Sequence, residues 1–85
     1  MRETYFGLLL AEVEFQIADS YYFEGDYDSA IQHYLALIKN KLYKEHSSLP
    51  AAYLKLGHCY EQKKQFEAAR DTYHQARFEF IRQPV

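Results

Sequence analysis

The sequence predicts an all-α fold of four antiparallel helices, and three observations support this. First, the 85 residues include only three Gly and two Pro, so a few long elements are expected. Second, apolar residues recur at steps of three and four, which is the spacing of a helix. Third, the two halves share a pattern at an offset of 39 residues, as with Tyr21 and Tyr60. The length allows a single domain, residues 1–85.

The first half of the chain predicts two helices joined by a tight turn. The first helix spans Glu3 to Phe23, and its expected packing stripe is Phe6, Leu10, Val13, Ile17 and Tyr21. Gly25 can adopt the positive φ that ends a helix, and Asp26 can cap the next one. The second helix ends near Lys39 and carries Tyr27, Ala30, Ile31, Tyr34, Leu35, Leu37 and Ile38.

The second half repeats this arrangement after a connector from Tyr43 to Leu49. Ser48 followed by Pro50 is a start signal for a third helix, which ends near Lys63. Its apolar positions are Tyr53, Leu56, Gly57 and Tyr60. A fourth helix ends before Pro84 and carries Phe66, Ala69, Tyr73, Ala76 and Phe80.

The composition excludes several classes of protein. The single cysteine, Cys59, rules out a disulfide-built secreted scaffold. No apolar run reaches the ~18 residues of a membrane span, so membrane insertion is not expected. The net charge of −2 argues against nucleic acid as the main partner. The charge is also uneven: seven acids and no Lys or Arg lie between Glu3 and Asp28.

The sequence offers no catalytic or metal-binding motif. The four histidines are scattered, and none has the spacing of a metal site. His58 and Cys59 are adjacent, so on a helix they point ~100° apart and do not readily share an ion. Asp71 and His74 could pair on one helix face, but no nucleophile is implied beside them. We therefore expect no enzyme activity, no cofactor and no metal.

The internal repeat resembles the tetratricopeptide repeat, a 34-residue helix pair. The second copy, residues 50–83, matches the family pattern at Tyr53, Leu56, Gly57, Tyr60, Ala69, Tyr73 and Ala76. The first copy, residues 11–44, follows a helical extension (3–10) and matches at Ala11, Ala18, Tyr21, Gly25, Tyr27, Ala30 and Tyr34. The resemblance implies a short right-handed solenoid that mediates protein–protein interaction, with Ala18 and Gly57 allowing close helix contact. One departure is Lys64, which stands where the first copy has Gly25.

By this resemblance, a partner peptide would lie along a concave face formed by the first helix of each repeat. The matching positions are Glu12, Phe15, Asp19, Tyr22, Phe23, Ala51, Leu54, His58, Glu61 and Gln62. Phe15 and Tyr22 are expected to be exposed aromatics on this face. The acidic first repeat favours basic or neutral peptides. Phe15 and Asp19 replace the Lys and Asn of family members that clamp a C-terminal carboxylate, so no such clamp is expected.

The main alternative is a structural unit that associates with copies of itself. Phe6, Leu9, Leu10, Phe78, Phe80 and Ile81 are crowded at the two ends of the chain, where one helix face cannot bury them all. The chain could instead be a regulatory repeat fragment of a larger bacterial protein. The expected location is the cytoplasm, with the bacterial periplasm as the alternative.

Overall fold

The computed structural model describes the backbone of residues 2–80 and the side chains of residue 7 and residues 9–80. Its helices are α1 (Arg2–Glu24), α2 (Tyr27–Lys39), α3 (Leu49–Gln62) and α4 (Phe66–Phe80). A short 3-10 turn, Lys41–Tyr43, connects α2 to α3. No strand occurs within residues 2–80. The predicted all-α fold is confirmed, whereas the predicted end of α4 before Pro84 lies outside the described residues.

The two turns inside the helix pairs have the conformation that the sequence predicts. Gly25 ends α1 with φ +83°, and Lys64 follows α3 with φ +63°. The Asp26 carboxylate accepts a hydrogen bond from the Ser29 backbone N–H at 3.2 Å, which caps α2. Lys64 is therefore a non-glycine residue in the left-handed region, where a side chain is strained.

Each helix packs against the next one along the chain, so that α2 lies between α1 and α3. Its central position explains why α2 buries Ala30, Ile31, Tyr34 and Leu37. Tyr43 of the connecting turn is also buried in this core. Most of the buried side chains therefore surround α2.

Close approach of α3 and α4 depends on Gly57. A Cβ atom built at Gly57 would lie 2.4 Å from the ring of Tyr73, which is far inside van der Waals contact. The equivalent residue of α1 is Ala18, which is completely buried. The predicted roles of Gly57 and Ala18 as close-packing residues agree with these contacts.

The predicted packing stripe of α1 is wrong at its three central positions, whereas Tyr21 does pack against the core and the side chain of Phe6 lies outside the described residues. Leu10, Val13 and Ile17, here called the outer stripe, are 55%, 51% and 42% exposed. The helix instead faces the core with Ala11, Phe15 and Ala18, all buried. Both faces have helical spacing, but the two alanines let α2 approach closely while the Phe15 ring fills the space beside them. Spacing alone could not distinguish the two faces.

Candidate binding surface on α1 and α3

The first helices of the two repeats, α1 and α3, contact each other side by side. The exposed and half-buried side chains at the predicted binding positions of both helices, together with Lys55, are here called the groove. The groove residues are Glu12, Asp19, Tyr22, Phe23, Leu54, Lys55, His58, Glu61 and Gln62. Five of the predicted binding residues contact each other or Lys55: Asp19, Tyr22, Phe23, His58 and Gln62.

Lys55 links the two helices at the centre of the groove. Its Nζ lies 3.0 Å from Oδ1 of Asp19 and 5.3 Å from the ring centroid of Phe23. Asp19 also accepts a hydrogen bond from the hydroxyl of the buried Tyr34. Burial, followed by this bond to the carboxylate, raises the pKa of Tyr34 well above its ordinary value. Tyr34 therefore keeps its proton, and its hydroxyl holds the Asp19 carboxylate in position from the core side.

A second set of polar contacts joins the C-terminal parts of α1 and α3. The Tyr22 hydroxyl lies 2.7 Å from Nδ1 of His58, and the Gln62 amide nitrogen lies 3.1 Å from Nε2 of the same ring. Each nitrogen of the His58 ring therefore has a hydrogen-bonding partner. His58 is held on both sides, so its position in the groove is well defined.

Two acidic groups lie at the edges of the groove. Glu61 accepts a hydrogen bond of 2.7 Å from the Tyr73 hydroxyl, which belongs to α4. Glu12 lies 3.8 Å from Nε2 of His46, and its side chain is 56% exposed. Lys55, the cation within the groove, is already paired with Asp19. The groove as a whole thus remains acidic.

Two large apolar side chains of the groove are open to solvent. Phe23 is 74% exposed and Leu54 is 57% exposed. Phe23 also contacts Tyr22 edge to face, with ring centroids 5.1 Å apart. These side chains can bury apolar surface of a ligand, while the fixed polar groups beside them can orient it.

Phe15 does not belong to the groove, contrary to the prediction from the sequence. Its side chain is 4% exposed and its ring stacks on His46 at a centroid distance of 4.7 Å. His46 and the neighbouring Tyr43 come from the connector, which closes over Phe15. The spacing of Phe15, Asp19 and Tyr22 placed them on one face, but it could not reveal that the connector covers one end of that face.

Sequence reasoning missed Lys55 as a groove residue. Lys55, His58 and Gln62 have the spacing i, i+3, i+7, which places them on one side of α3. The predicted face of α3 was instead the one that carries Leu54, His58 and Glu61. Extending the same helical rule to the flanking stripe would have found Lys55.

The residues predicted for self-association are only partly described. Leu9, Leu10 and Phe78 are exposed, whereas Phe80 is 37% exposed and contacts the Tyr53 ring edge to face at 5.3 Å. The side chains of Phe6 and Ile81, named in the same prediction, lie outside the described residues. Self-association through these residues stays a prediction.

The described residues contain no cluster of three or more side chains suited to hold a metal ion. None of the helices within residues 2–80 combines the length and apolarity needed to cross a membrane. The cysteine, Cys59, is buried between helices, and burial raises the pKa of its thiol to about 11. Cys59 is thus a protonated core residue rather than a reactive thiolate.

Comparison with known proteins identifies two adjacent segments. Residues 12–40 and residues 50–76 each match a family model described as tetratricopeptide repeat. The first match covers α2 and the C-terminal half of α1, and the second covers α3 except Leu49 and most of α4. No curated protein and no solved structure matches the chain at a significant level.

Proposed function

Since the chain belongs to the tetratricopeptide repeat family, whose repeats generally mediate protein–protein interaction, we propose that it binds an extended or helical segment of a partner protein along the groove. The observation that carries this proposal is the pair of exposed apolar side chains, Phe23 and Leu54, beside a fixed polar network. Such a combination of apolar anchors and oriented polar groups is typical of recognition surfaces.

The charge of the groove supports a basic or neutral partner. Lys55 is paired with Asp19, while Glu12 and Glu61 lie at the edges without a Lys or Arg partner among the described contacts. A Lys or Arg of the partner would find complementary charge there, whereas an acidic peptide would be repelled. Because Asp19 already balances the charge of Lys55, a basic partner could bind without displacing Lys55.

The proposed role is non-catalytic. Members of this family are typically interaction modules without enzyme activity. The groove offers hydrogen-bonding groups and apolar anchors, and its function as proposed requires no cofactor. The role is compatible with a cytoplasmic protein and with a repeat region of a bacterial periplasmic one.

A displayed peptide library of mixed charge, selected on the purified chain, tests this function. We expect the enriched sequences to be basic or neutral and to contain a large apolar residue. Phe23→Ala and Leu54→Ala should each weaken binding of an enriched peptide by roughly tenfold or more, as for anchor residues of other interfaces.

The control variant is Leu42→Ala, because Leu42 is 88% exposed and lies in the 3-10 turn Lys41–Tyr43. It removes the same kind of side chain outside the groove and should leave binding unchanged. Enrichment of acidic peptides, or equal loss of binding in all three variants, would contradict the proposal.

A further inference from the structure

The outer stripe of α1 has an internal counterpart in α3. At the repeat offset, Leu10, Val13 and Ile17 correspond to three residues of α3: Leu49, Ala52 and Leu56. Those three residues are at most 4% exposed and belong to the core around α2. In α3 this stripe is therefore the surface that receives a preceding helix. In α1 the same stripe remains open.

The spacing of the outer stripe suits a helical partner. Its residues follow each other at steps of three and four, the a and d pattern of a paired helix, and Leu9 (48% exposed) lies beside them. Val13 is two residues before the buried Phe15 and so points ~200° away from it around the helix. A partner helix could thus dock on α1 without disturbing the core.

The far end of the chain does not fit this stripe. The side of α4 that corresponds to the α3-facing side of α2 carries Arg70, His74 and Arg77 where α2 has Ile31, Leu35 and Ile38. Stacking copies end to end would place these cations against the aliphatic outer stripe, at a desolvation cost. This side of α4 is therefore more polar than the matching side of α2.

The ion pair between repeats gives a second reason against end-to-end stacking. Within the chain, Lys63, which directly follows α3, pairs with Asp28 of α2. At the repeat offset, Lys63 corresponds to Glu24 and Asp28 corresponds to Glu67. A junction between copies would therefore bring two carboxylates together where the internal junction has an ion pair.

We propose that the outer stripe of α1 binds the outer stripe of a second copy in an antiparallel, two-fold symmetric pair. Val13 is the middle residue of Arg2–Glu24, so pairing about Val13 overlaps the full length of both helices. Ile17 of each copy then lies opposite Leu9 of the other, and Leu10 lies beside this pair. The antiparallel direction keeps the two Glu24 carboxylates at opposite ends, and the interface is self-complementary, as a two-fold pair requires.

Equilibrium sedimentation over a wide concentration range tests the pairing. We expect a monomer–dimer equilibrium whose dissociation constant rises at least ~10-fold in Val13→Glu. Leu42→Glu, at an exposed leucine outside the outer stripe, should leave the dissociation constant unchanged. Arg77→Glu should also leave it unchanged, because α4 takes no part. Circular dichroism checks that each variant remains helical.

Disulfide cross-linking defines the direction. Val13→Cys should give a covalent dimer on mild oxidation, whereas Glu24→Cys should not, and the buried Cys59 should not interfere. A monomer at all concentrations would overturn the proposal. So would cross-linking through Glu24→Cys, which indicates a parallel pair, or larger assemblies that Arg77→Glu abolishes, which indicate end-to-end stacking.

Discussion

The two repeats share a frame, yet equivalent residues have different surroundings. Tyr34 of the first repeat is completely buried, because α2 is covered on one side by α1 and on the other by α3. Its counterpart Tyr73 is only half-buried, because α4 packs mainly against α3. Both tyrosines donate a hydrogen bond to a carboxylate. Position in the stack, rather than residue type, therefore decides burial.

The difference extends to how each repeat brings its helices together. The first repeat uses Ala18 and a glycine turn at Gly25, whereas the second uses Gly57 and a lysine turn at Lys64. The first repeat thus has its glycine at the turn, and the second repeat has its glycine at the close contact between helices. Substitutions at these positions test whether a glycine is needed at the helix contact, at the turn, or at both.

The largest effect is expected for Gly57→Leu. Even a Cβ atom there would meet the Tyr73 ring at 2.4 Å, so a larger side chain must push α4 away from α3. Overpacking of this kind costs ~3 kcal/mol, a large part of the stability of a small domain. Denaturant unfolding measures the loss. An unchanged midpoint would show that the contact between α3 and α4 is wrong.

The buried tyrosine predicts a loss of stability in alkali. The ordinary tyrosine pKa of 10.0 applies to the unfolded chain, whereas burial raises the pKa of Tyr34 in the folded one. Above about pH 10 the unfolded state therefore releases this proton first, and stability falls as the pH rises. Tyr34→Phe should make this fall shallower by up to ~1.4 kcal/mol per pH unit. Parallel pH profiles of the two proteins would contradict the burial of Tyr34.

Local signals of the sequence were sufficient for the helices and turns. Gly25 and Asp26 marked one turn by their own chemistry, and the repeat placed Lys64 at the other. The packing face of α1 could not be found this way, since Leu10, Val13 and Ile17 have better apolar spacing than the true core face. That face is formed by small residues, which favour packing only because they let a second helix approach closely. The burial of Phe15 likewise depends on the connector, which is distant in sequence.

Exchanging the turn residues tests whether the difference at the two turns matters. Lys64→Gly removes a side chain from the left-handed region and should stabilise the chain by ~1 kcal/mol. Gly25→Lys should destabilise it by a similar amount, because Gly25 has φ +83°. Thermal unfolding of both variants measures the two shifts. Shifts of the same sign would show that the turns are not equivalent.

The smallest expected effect concerns the ion pair between the repeats. Lys63 is one-third exposed and Asp28 is 73% exposed, so Lys63→Ala should cost less than ~1 kcal/mol, and added salt should reduce the difference. Lys63→Glu should cost more than Lys63→Ala, because it sets a carboxylate beside Asp28, as Glu24 and Glu67 would be set in copies stacked end to end. Unfolding at low and high salt separates this repulsion from lost packing. If Lys63→Glu and Lys63→Ala are equally stable at low salt, the charge argument against end-to-end stacking fails. The mismatch between the two ends of the chain would then depend only on Arg70, His74 and Arg77.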